Sequence, residues 1–200
     1  MTPRLEVAGL RIRRKGRVVL DDFNLTLGPG RLAWVTGENG AGKSSLLRVL
    51  AGRLRPEAGG VRMEPDATSV AYYHPGMGLP RDPRVGDWMR LLGLSDATDR
   101  RLAPSVGPGD GIARLSTGEH KRLLLVGILS RGAPFTFLDE PYEHLSPDAK
   151  ATLTQMLLER AQGGVVVVAT NQEVPAVGKP LVVHVDGEPG REASSEGDMP

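Results

Sequence analysis

The chain has 200 residues with 16 prolines and 26 glycines, which fits one loop-rich domain with a sizeable core, with or without a small subdomain. Its net charge of +1 gives no whole-chain attraction to nucleic acid, and its lack of cysteine excludes disulfides and thiolate metal sites and fits a cytoplasmic protein. The N-terminus shows no signal-peptide pattern, and the longest apolar runs, 123–129 and 165–169, are far shorter than the roughly 20 residues that span a bilayer, so any membrane role is expected to come through a partner.

The first part of the chain is expected to form an antiparallel β subdomain. Residues 5–7 and 17–20 have the character of short strands, and 23–27 alternates apolar and polar residues, which predicts a half-buried antiparallel strand. The basic run 11–17 is interpreted as a solvated hairpin turn between two strands. A glycine-proline-glycine turn then leads to a buried strand at 32–35.

A phosphate-binding loop follows that strand, with the pattern G-x-x-x-x-G-K-S. Its glycines let the backbone approach a polyphosphate, so that N–H groups can point at phosphate oxygens. Lys43 supplies a point charge for the β- and γ-phosphates, and Ser44 supplies a hydroxyl ligand for the accompanying Mg²⁺. A helix predicted at 44–54 places its N-terminus at the phosphates, where the helix dipole favours negative charge. The predicted nucleotide contacts in this loop are Gly37, Glu38, Asn39, Gly40, Ala41, Gly42, Lys43, Ser44 and Ser45.

The middle of the chain is expected to place a small helical insert, about residues 75–130, on the main sheet. Short strands are predicted at 61–63 and 69–73, and proline-rich loops then surround helical pieces at 85–92 and 96–102. The sequence from Leu115 to Arg122 contains a capping box, because Glu119 follows Ser116 by three residues, and a helix is expected to begin there. Gly118 in its first turn is less expected, because glycine weakens a helix unless something must approach its backbone.

Two carboxylates, Asp139 and Glu140, end the next predicted strand. In open α/β sheets, ligands bind at the carboxyl ends of the strands. We expect Asp139 to hold Mg²⁺, directly or through water, and Glu140 to orient and deprotonate an attacking water. A pair of solvated acids at the start of a loop is the alternative, and the phosphate loop upstream disfavours it.

The last part of the chain predicts one more helix and two strands. Ser146 before a proline is a strong helix start, and the helix is expected to run to about residue 161. The apolar run 164–169 is a sheet-core strand, Asn171 follows it, and a further strand is expected at 180–185. The polar tail, 186–200, is expected to be disordered. The predicted fold class is therefore α/β: a P-loop NTPase domain over residues 1–185, with a mostly parallel central sheet, an N-terminal antiparallel β subdomain and the helical insert.

These motifs together resemble those of the ATP-binding-cassette (ABC) ATPases, the motor subunits of ABC transporters. Leu115-Ser116-Thr117-Gly118-Glu119 is close to that family's signature L-S-G-G-Q, and it lies about 20 residues before Leu138-Asp139-Glu140-Pro141. The resemblance covers nearly the whole chain, and the short length and compact insert look most like the small subunits of cytochrome c maturation (haem) exporters.

The resemblance implies a composite active site and a membrane partner. Two such subunits, identical or different, pack head to tail, and each ATP lies between the phosphate loop of one chain and Ser116 and Gly118 of the other. It implies Glu140 as general base, Lys43 as a catalytic cation, and Ser44 and Asp139 as Mg²⁺ ligands. ATP-driven closing would move a transmembrane subunit docked near the helical insert, with this chain on the inner face of the membrane and no nucleic acid involved.

Four positions depart from the family pattern. Arg14 stands nearest to the expected adenine-stacking aromatic, and a guanidinium can stack on a base. His74 replaces an expected glutamine and can accept from a water or ligate the metal, and Ser146 replaces an aspartate but keeps the helix cap. Asn171 replaces a histidine, so it can donate to the γ-phosphate but cannot carry a proton.

Two functions remain open from the residues. The favoured one is a working ATPase that powers a transporter, because Lys43, Ser44, Asp139 and Glu140 are present. The other is a degenerate nucleotide-binding subunit with slow or absent turnover that acts as a regulatory or assembly partner. A P-loop kinase or GTPase is disfavoured because no Asn-Lys-x-Asp guanine reader occurs. A nucleic-acid-handling cassette is poorly supported because the chain has no coiled-coil insert and no second cassette.

Overall fold

The computed structural model describes residues 2–66, 69–95, 98–173, 181–185 and 195–196. Within these ranges it contains nine strands, four α-helices and one 3₁₀ turn. In chain order the strands and helices are β1 (Arg4–Arg14), β2 (Arg17–Leu27), β3 (Arg31–Thr36), α1 (Lys43–Leu50), β4 (Ala58–Glu64), β5 (Val70–Tyr73), α2 (Val85–Leu91), α3 (Thr117–Leu129), β6 (Phe135–Asp139), α4 (Pro147–Gly163), β7 (Val165–Ala169), β8 (Leu181–His184) and β9 (Ser195–Glu196).

The N-terminal subdomain is an antiparallel sheet of three strands in the order β2-β1-β4. The expected hairpin is present, but its turn consists of Lys15 and Gly16 alone, both with positive φ. A two-residue turn of this kind matches the twist of the flanking strands, so pairing continues to Arg14 and Arg17. The basic run is therefore mostly strand, which corrects the turn interpretation, and the two short strands expected at 17–20 and 23–27 are one continuous strand.

The central sheet has six strands in the order β5-β6-β7-β3-β8-β9. The pairs between β5, β6, β7, β3 and β8 are parallel, and β9 pairs antiparallel to β8. This confirms the predicted fold class, a mostly parallel sheet beside an antiparallel subdomain. The strand β9 falls within the stretch expected to be a disordered tail, and the rest of that stretch lies outside the described residues.

Both faces of the central sheet are covered, and this explains the continuous apolar runs. Trp34 and Leu138 belong to a core with residues of α2, α3 and α4. Val35 and Phe137 belong to a second core with residues of α1 and the N-terminal strands. All five residues of β7 have no exposed surface, because successive side chains enter opposite cores.

One of the two helical pieces expected in the insert is missing from the described residues. Helix α2 matches the prediction at 85–92, but residues 98–102 contain no helix, and 96–97 lie outside the described residues. Helix α2 packs closely on α3, because a Cβ on Gly127 would lie 2.4 Å from the ring of Trp88. No helix in the described part of the chain is long and apolar enough to cross a membrane.

Two helices differ from their expected ends. Helix α1 stops at Leu50 rather than 54, because Gly52 with a φ of 67° turns the chain out of the helix. Helix α4 starts as predicted, with Ser146 as N-cap accepting from the Ala149 N–H, but continues to Gly163. Expected and observed strands at β3, β5, β6 and β7 agree within two residues.

Candidate active site

The phosphate loop connects β3 to α1, and its glycines adopt conformations that other residues rarely take. Gly37, Gly40 and Gly42 have φ values of 141°, 89° and 110°. A Cβ on Gly37 would lie 2.1 Å from the Val185 carbonyl oxygen, and one on Gly42 would lie 3.1 Å from the Val19 carbonyl oxygen. The loop is therefore wedged between β2 and the residue after β8. Gly42 caps α1 without a side chain, which leaves the amides of the first turn for an anion.

Lys43 and Ser44 hold the loop from within. Lys43 is only 6% exposed, and its ammonium donates to the carbonyl oxygens of Gly37 at 2.7 Å and Glu38 at 3.1 Å. The Ser44 hydroxyl donates to Asp139 Oδ1 at 3.0 Å. Two residues separated by 95 positions in the chain are thus joined at the mouth of the loop. The predicted contacts Ala41 and Ser45 are buried beside them.

Asp139 and Glu140 lie at the carboxyl end of β6. Asp139 is 3% exposed, whereas Glu140 is partly exposed. Glu140 has a φ of 47°, a left-handed conformation that costs about 1–2 kcal/mol for a residue with a Cβ. Its N–H donates to the Ala169 carbonyl at 2.9 Å, so the chain leaves β6 in register with β7 and then turns sharply.

Asn171 is brought to the same edge because β7 runs parallel to β6. Its backbone N–H donates to Glu140 Oε2 at 3.2 Å. Its side-chain amide lies 3.5 Å from Asn39 Oδ1, at the outer limit of a hydrogen bond. One residue therefore contacts both the carboxylate after β6 and the phosphate loop.

Burial dominates the electrostatics of both carboxylates. It raises the pKa of Asp139, and the Ser44 hydroxyl followed by the charges of Arg48, His74 and Lys43 opposes this rise. Burial also raises the pKa of Glu140, and the Asn171 N–H and the Lys43 charge oppose it. An acid whose pKa is shifted upward toward neutral pH is better suited to accept a proton from water.

The oxygens of Ser44 and Asp139 fit a Mg²⁺ ion that arrives with a nucleotide. Mg²⁺ prefers oxygen ligands and is held through one or two protein groups plus substrate phosphates and water. Across the described ranges, no group of three or more histidine, aspartate or glutamate side chains could hold a metal by itself. The donor set therefore suits a metal shared with phosphates and does not suit a resident metal.

Two residues predicted to contact the nucleotide or its metal, His74 and Arg14, make no hydrogen bond to the other predicted site residues within the described ranges. His74 Nδ1 accepts from the Gly76 N–H at 3.1 Å, and its ring lies 5.6 Å from the ring of Tyr72, although its charge influences Asp139. Arg14 is exposed at the end of β1. Val19, on the partner strand of the same hairpin, contacts Gly42, so the hairpin lies beside the phosphate loop. Among the described residues, no hydrogen bond or ion pair joins Arg14 to that loop.

Ser116 and Gly118 lie apart, at the exposed start of α3. The expected capping box is present: the Ser116 N–H donates to Glu119 Oε2 at 2.9 Å, and the Glu119 N–H donates to Ser116 Oγ at 3.3 Å. The Ser116 hydroxyl also donates to Glu119 Oε2 at 2.8 Å. No atom lies within 4 Å of a Cβ placed on Gly118, so packing within the described chain does not require a glycine there.

Sequence reasoning missed two residues that support the site. Lys121 donates to the carbonyl oxygens of Glu140 and Glu143, and Val185 lies against Gly37. The Lys121 side chain contacts backbone carbonyls and Val185 contributes its own carbonyl, so neither belongs to a recognisable motif. Lys121 lies in the polar first turns of α3, before the buried run that begins at Leu123, so no local signal set it apart.

Comparison with known proteins agrees with this geometry. A family model described as ABC transporter matches residues 20–74. A cytochrome c biogenesis ATP-binding export protein of Sphingopyxis alaskensis is 36% identical over 182 residues, covering 86% of this chain and 91% of the relative. Its counterpart in Rhizobium meliloti is 36% identical over 199 residues, covering 88% and 94%.

The fold agrees as well. A putative ABC transporter ATP-binding protein from Pyrococcus furiosus superimposes with a TM-score of 0.79 at 20% identity, covering 91% of this chain and 97% of that one. Sequence and fold thus agree over most of the chain. The chain belongs to the ATP-binding-cassette ATPases, and it is an ATP-binding and ATP-hydrolysing subunit of an ABC transporter.

Proposed function

We propose that the cluster at the carboxyl ends of β6 and β7 is where this chain hydrolyses MgATP. The observation that carries the proposal is the 3.0 Å hydrogen bond between Ser44 and Asp139, with Glu140 next in the chain. The amides from Gly37 to Ser45 and the Lys43 ammonium would hold the β- and γ-phosphates. Ser44 and Asp139 would hold Mg²⁺, which when bound neutralises charge on the phosphates.

Glu140 would act as the general base toward the attacking water. Its carboxylate is fixed by the Asn171 N–H at 3.2 Å, and burial raises its pKa above the ordinary value. Asn171 would donate its side-chain amide to the γ-phosphate without carrying a proton. His74 Nδ1 is already engaged by the Gly76 N–H, which leaves Nε2 for a water or the metal.

The exposed end of α3 supports a second nucleotide-binding subunit as partner. Ser116 and Gly118 lie at a helix N-terminus that contacts no phosphate loop within the described chain. We infer that they complete the site of another subunit, placed head to tail, by meeting the γ-phosphate there. The adenine would lie toward the β1–β2 hairpin, within reach of Arg14.

A cavity beside the helical insert supports a membrane partner. It has a volume of about 570 Å³, and its lining includes Arg48, Arg53, Arg131, Tyr72 and Met77. Within the described ranges these arginines form no ion pair, and the charge of Arg48 acts on both the Tyr72 hydroxyl and Asp139. We propose that an acidic segment of a transmembrane subunit docks there, which would hold this chain at the inner face of the membrane. The names of the two export-protein relatives support a role in cytochrome c biogenesis, in line with the resemblance of the sequence to haem exporters.

Replacing the base tests the proposal. Glu140→Gln keeps the size of the side chain and removes the proton acceptor, so kcat for ATP hydrolysis is expected to fall about 100-fold or more. ATP affinity, measured by calorimetry with MgATP, is expected to change less than about twofold. The matched control is Glu143→Gln, three residues further along the same loop, which is expected to retain the wild-type rate. Equal, negligible rates for wild type and Glu140→Gln, with ATP binding intact, would contradict catalysis and leave a nucleotide-binding regulatory subunit.

A further inference from the structure

One side chain joins helix α3 to the loop that carries the proposed base. The Lys121 ammonium donates to the carbonyl oxygen of Glu140 at 3.2 Å and to that of Glu143 at 2.6 Å. It also lies 5.6 Å above the centre of the Tyr73 ring. Its stem comes from α3, whereas both acceptors belong to the loop after β6 and the ring belongs to β5. Three elements therefore meet at one nitrogen.

The contact requires a hydrogen-bond donor, which the Lys121 ammonium supplies. Lys121 is half-buried, and burial lowers the pKa of its ammonium while the carboxylates of Glu143 and Glu140 raise it. Carbonyl oxygens can only accept hydrogen bonds, so an apolar side chain of the same length would leave both acceptors without this donor. The ammonium position over the Tyr73 ring adds a cation–π attraction, which an uncharged side chain also loses.

The backbone of Glu140 is held from two directions. From the β7 side, the Ala169 carbonyl accepts its N–H and the Asn171 N–H reaches its carboxylate. From the α3 side, Lys121 holds its carbonyl oxygen. Because Glu140 has a φ of 47°, its conformation persists through these surroundings, and a rotation of the following peptide would swing the carboxylate.

We propose that Lys121 is a positioning residue for ATP hydrolysis, which fixes the Glu140 backbone relative to α3 so that the aim of the base depends on the position of that helix. Lys121 lies five residues after Ser116, the N-cap of the same helix. A displacement of the Ser116 end of α3 therefore pulls on the Glu140 carbonyl through a single ammonium. This inference rests on the proposed role of Glu140 as base.

Lys121→Met tests the link because it keeps a long, unbranched stem and removes the donor. We expect kcat to fall about tenfold, the scale of a small misplacement of a catalytic group, with ATP affinity within about twofold of wild type. Lys121→Arg, which can donate to both carbonyls, is expected to recover most of the rate. The matched control is His120→Ala on the same helix, which breaks a contact to the Ile112 carbonyl in the insert and is expected to keep kcat.

The outcomes separate this inference from the proposed function. A wild-type kcat in Lys121→Met, or a loss of ATP affinity at unchanged kcat, would overturn the inference while leaving Glu140 as base. In the Glu140→Gln background, Lys121→Met is expected to cause no further fall in kcat. A further tenfold fall would show that Lys121 acts independently of Glu140, and it would overturn the inference too. Full activity of Glu140→Gln alone would instead overturn the proposed base, and this inference with it. Lys121→Leu, which also lacks a donor, provides the same comparison if the methionine variant does not fold.

Discussion

The phosphate-loop side of the molecule and the start of α3 differ in how complete they are. At the loop, Lys43 and Asp139 are almost fully buried, and hydrogen bonds within the chain already join Ser44 to Asp139 and Asn171 to Glu140. At α3, Ser116 is exposed and the space around Gly118 is open. One half of the proposed site is preassembled, whereas the other half presents a surface. This difference supports the proposal that the chain carries two unlike halves of a site and pairs head to tail.

The largest effect on nucleotide affinity is expected on the preassembled side, from Lys43→Ala. The variant removes a buried ammonium, and a hydrogen bond to a charged group is worth about 1.5–3 kcal/mol, so MgATP affinity is expected to fall tenfold to about 100-fold. Calorimetric titration measures the change. The control is Lys150→Ala on α4, which removes an ammonium that donates to the Gln172 side chain at 2.7 Å. It is expected to bind MgATP with wild-type affinity. Unchanged affinity in Lys43→Ala would remove the phosphate loop from the site.

A pair of glycine substitutions sharpens the comparison. Gly37→Ala forces a Cβ toward the Val185 carbonyl at a φ of 141°, so the free energy of unfolding is expected to fall by about 2 kcal/mol. Gly118→Ala meets open space in a helix, so stability is expected to rise by about 0.5 kcal/mol. The ATPase rate of Gly118→Ala is nevertheless expected to fall tenfold or more, because the added methyl group would displace the γ-phosphate of the ATP bound to the partner subunit by about 1 Å.

Urea unfolding and steady-state ATPase assays on the same samples separate the two glycines. Gly163→Ala is the matched control for Gly118→Ala, because its Cβ also meets no atom within 4 Å on a helix. It is expected to leave the ATPase rate unchanged. A normal rate in Gly118→Ala would contradict the idea that the start of α3 contacts nucleotide on another subunit.

The smallest effect is expected from Glu119→Gln, on the exposed side. The Ser116 N–H, followed by the hydroxyls of Ser116 and Ser105, holds the pKa of Glu119 below its ordinary value of 4.5. A lowered folded-state pKa stabilises the fold above the unfolded pKa, and this contribution disappears as the pH falls through the folded-state value. Urea unfolding from pH 7 to pH 3 is expected to show wild type more stable than Glu119→Gln near neutrality, with the difference shrinking below pH 4.5. A constant difference over that range would contradict an ionised capping box.

Much of the fold was predictable because local rules and tertiary packing agree. The apolar run of β7 and the helix starts at Ser116 and Ser146 were placed within about two residues. The N-terminal hairpin was predicted less well, because charged residues from Arg11 to Arg14 continue a strand whose alternate side chains are solvated. The helix expected at 96–102 is absent from its described part, 98–102.

The positions of the candidate site residues were predictable where side chains form a recognisable pattern, and unpredictable where a contact involves a backbone atom. Lys43, Ser44, Asp139 and Glu140 stand in recognisable patterns, and the parallel β6–β7 pairing brings Asn171 to them. The contact of Lys121 with a carbonyl 19 residues away depends on how α3 packs, which no local pattern encodes. The positive φ of Glu140 likewise follows from its tertiary anchors.

The carbonyl of Val185 gives the far end of the chain a part in shaping the phosphate loop. It lies where a Cβ of Gly37 would be, and the Val185 N–H donates to the Thr36 carbonyl at 2.9 Å. The first glycine of the phosphate loop thus packs against a segment that follows every recognisable motif in the chain. A fragment trimmed after Asn171 would keep all the named functional residues and lose the support beneath its first glycine.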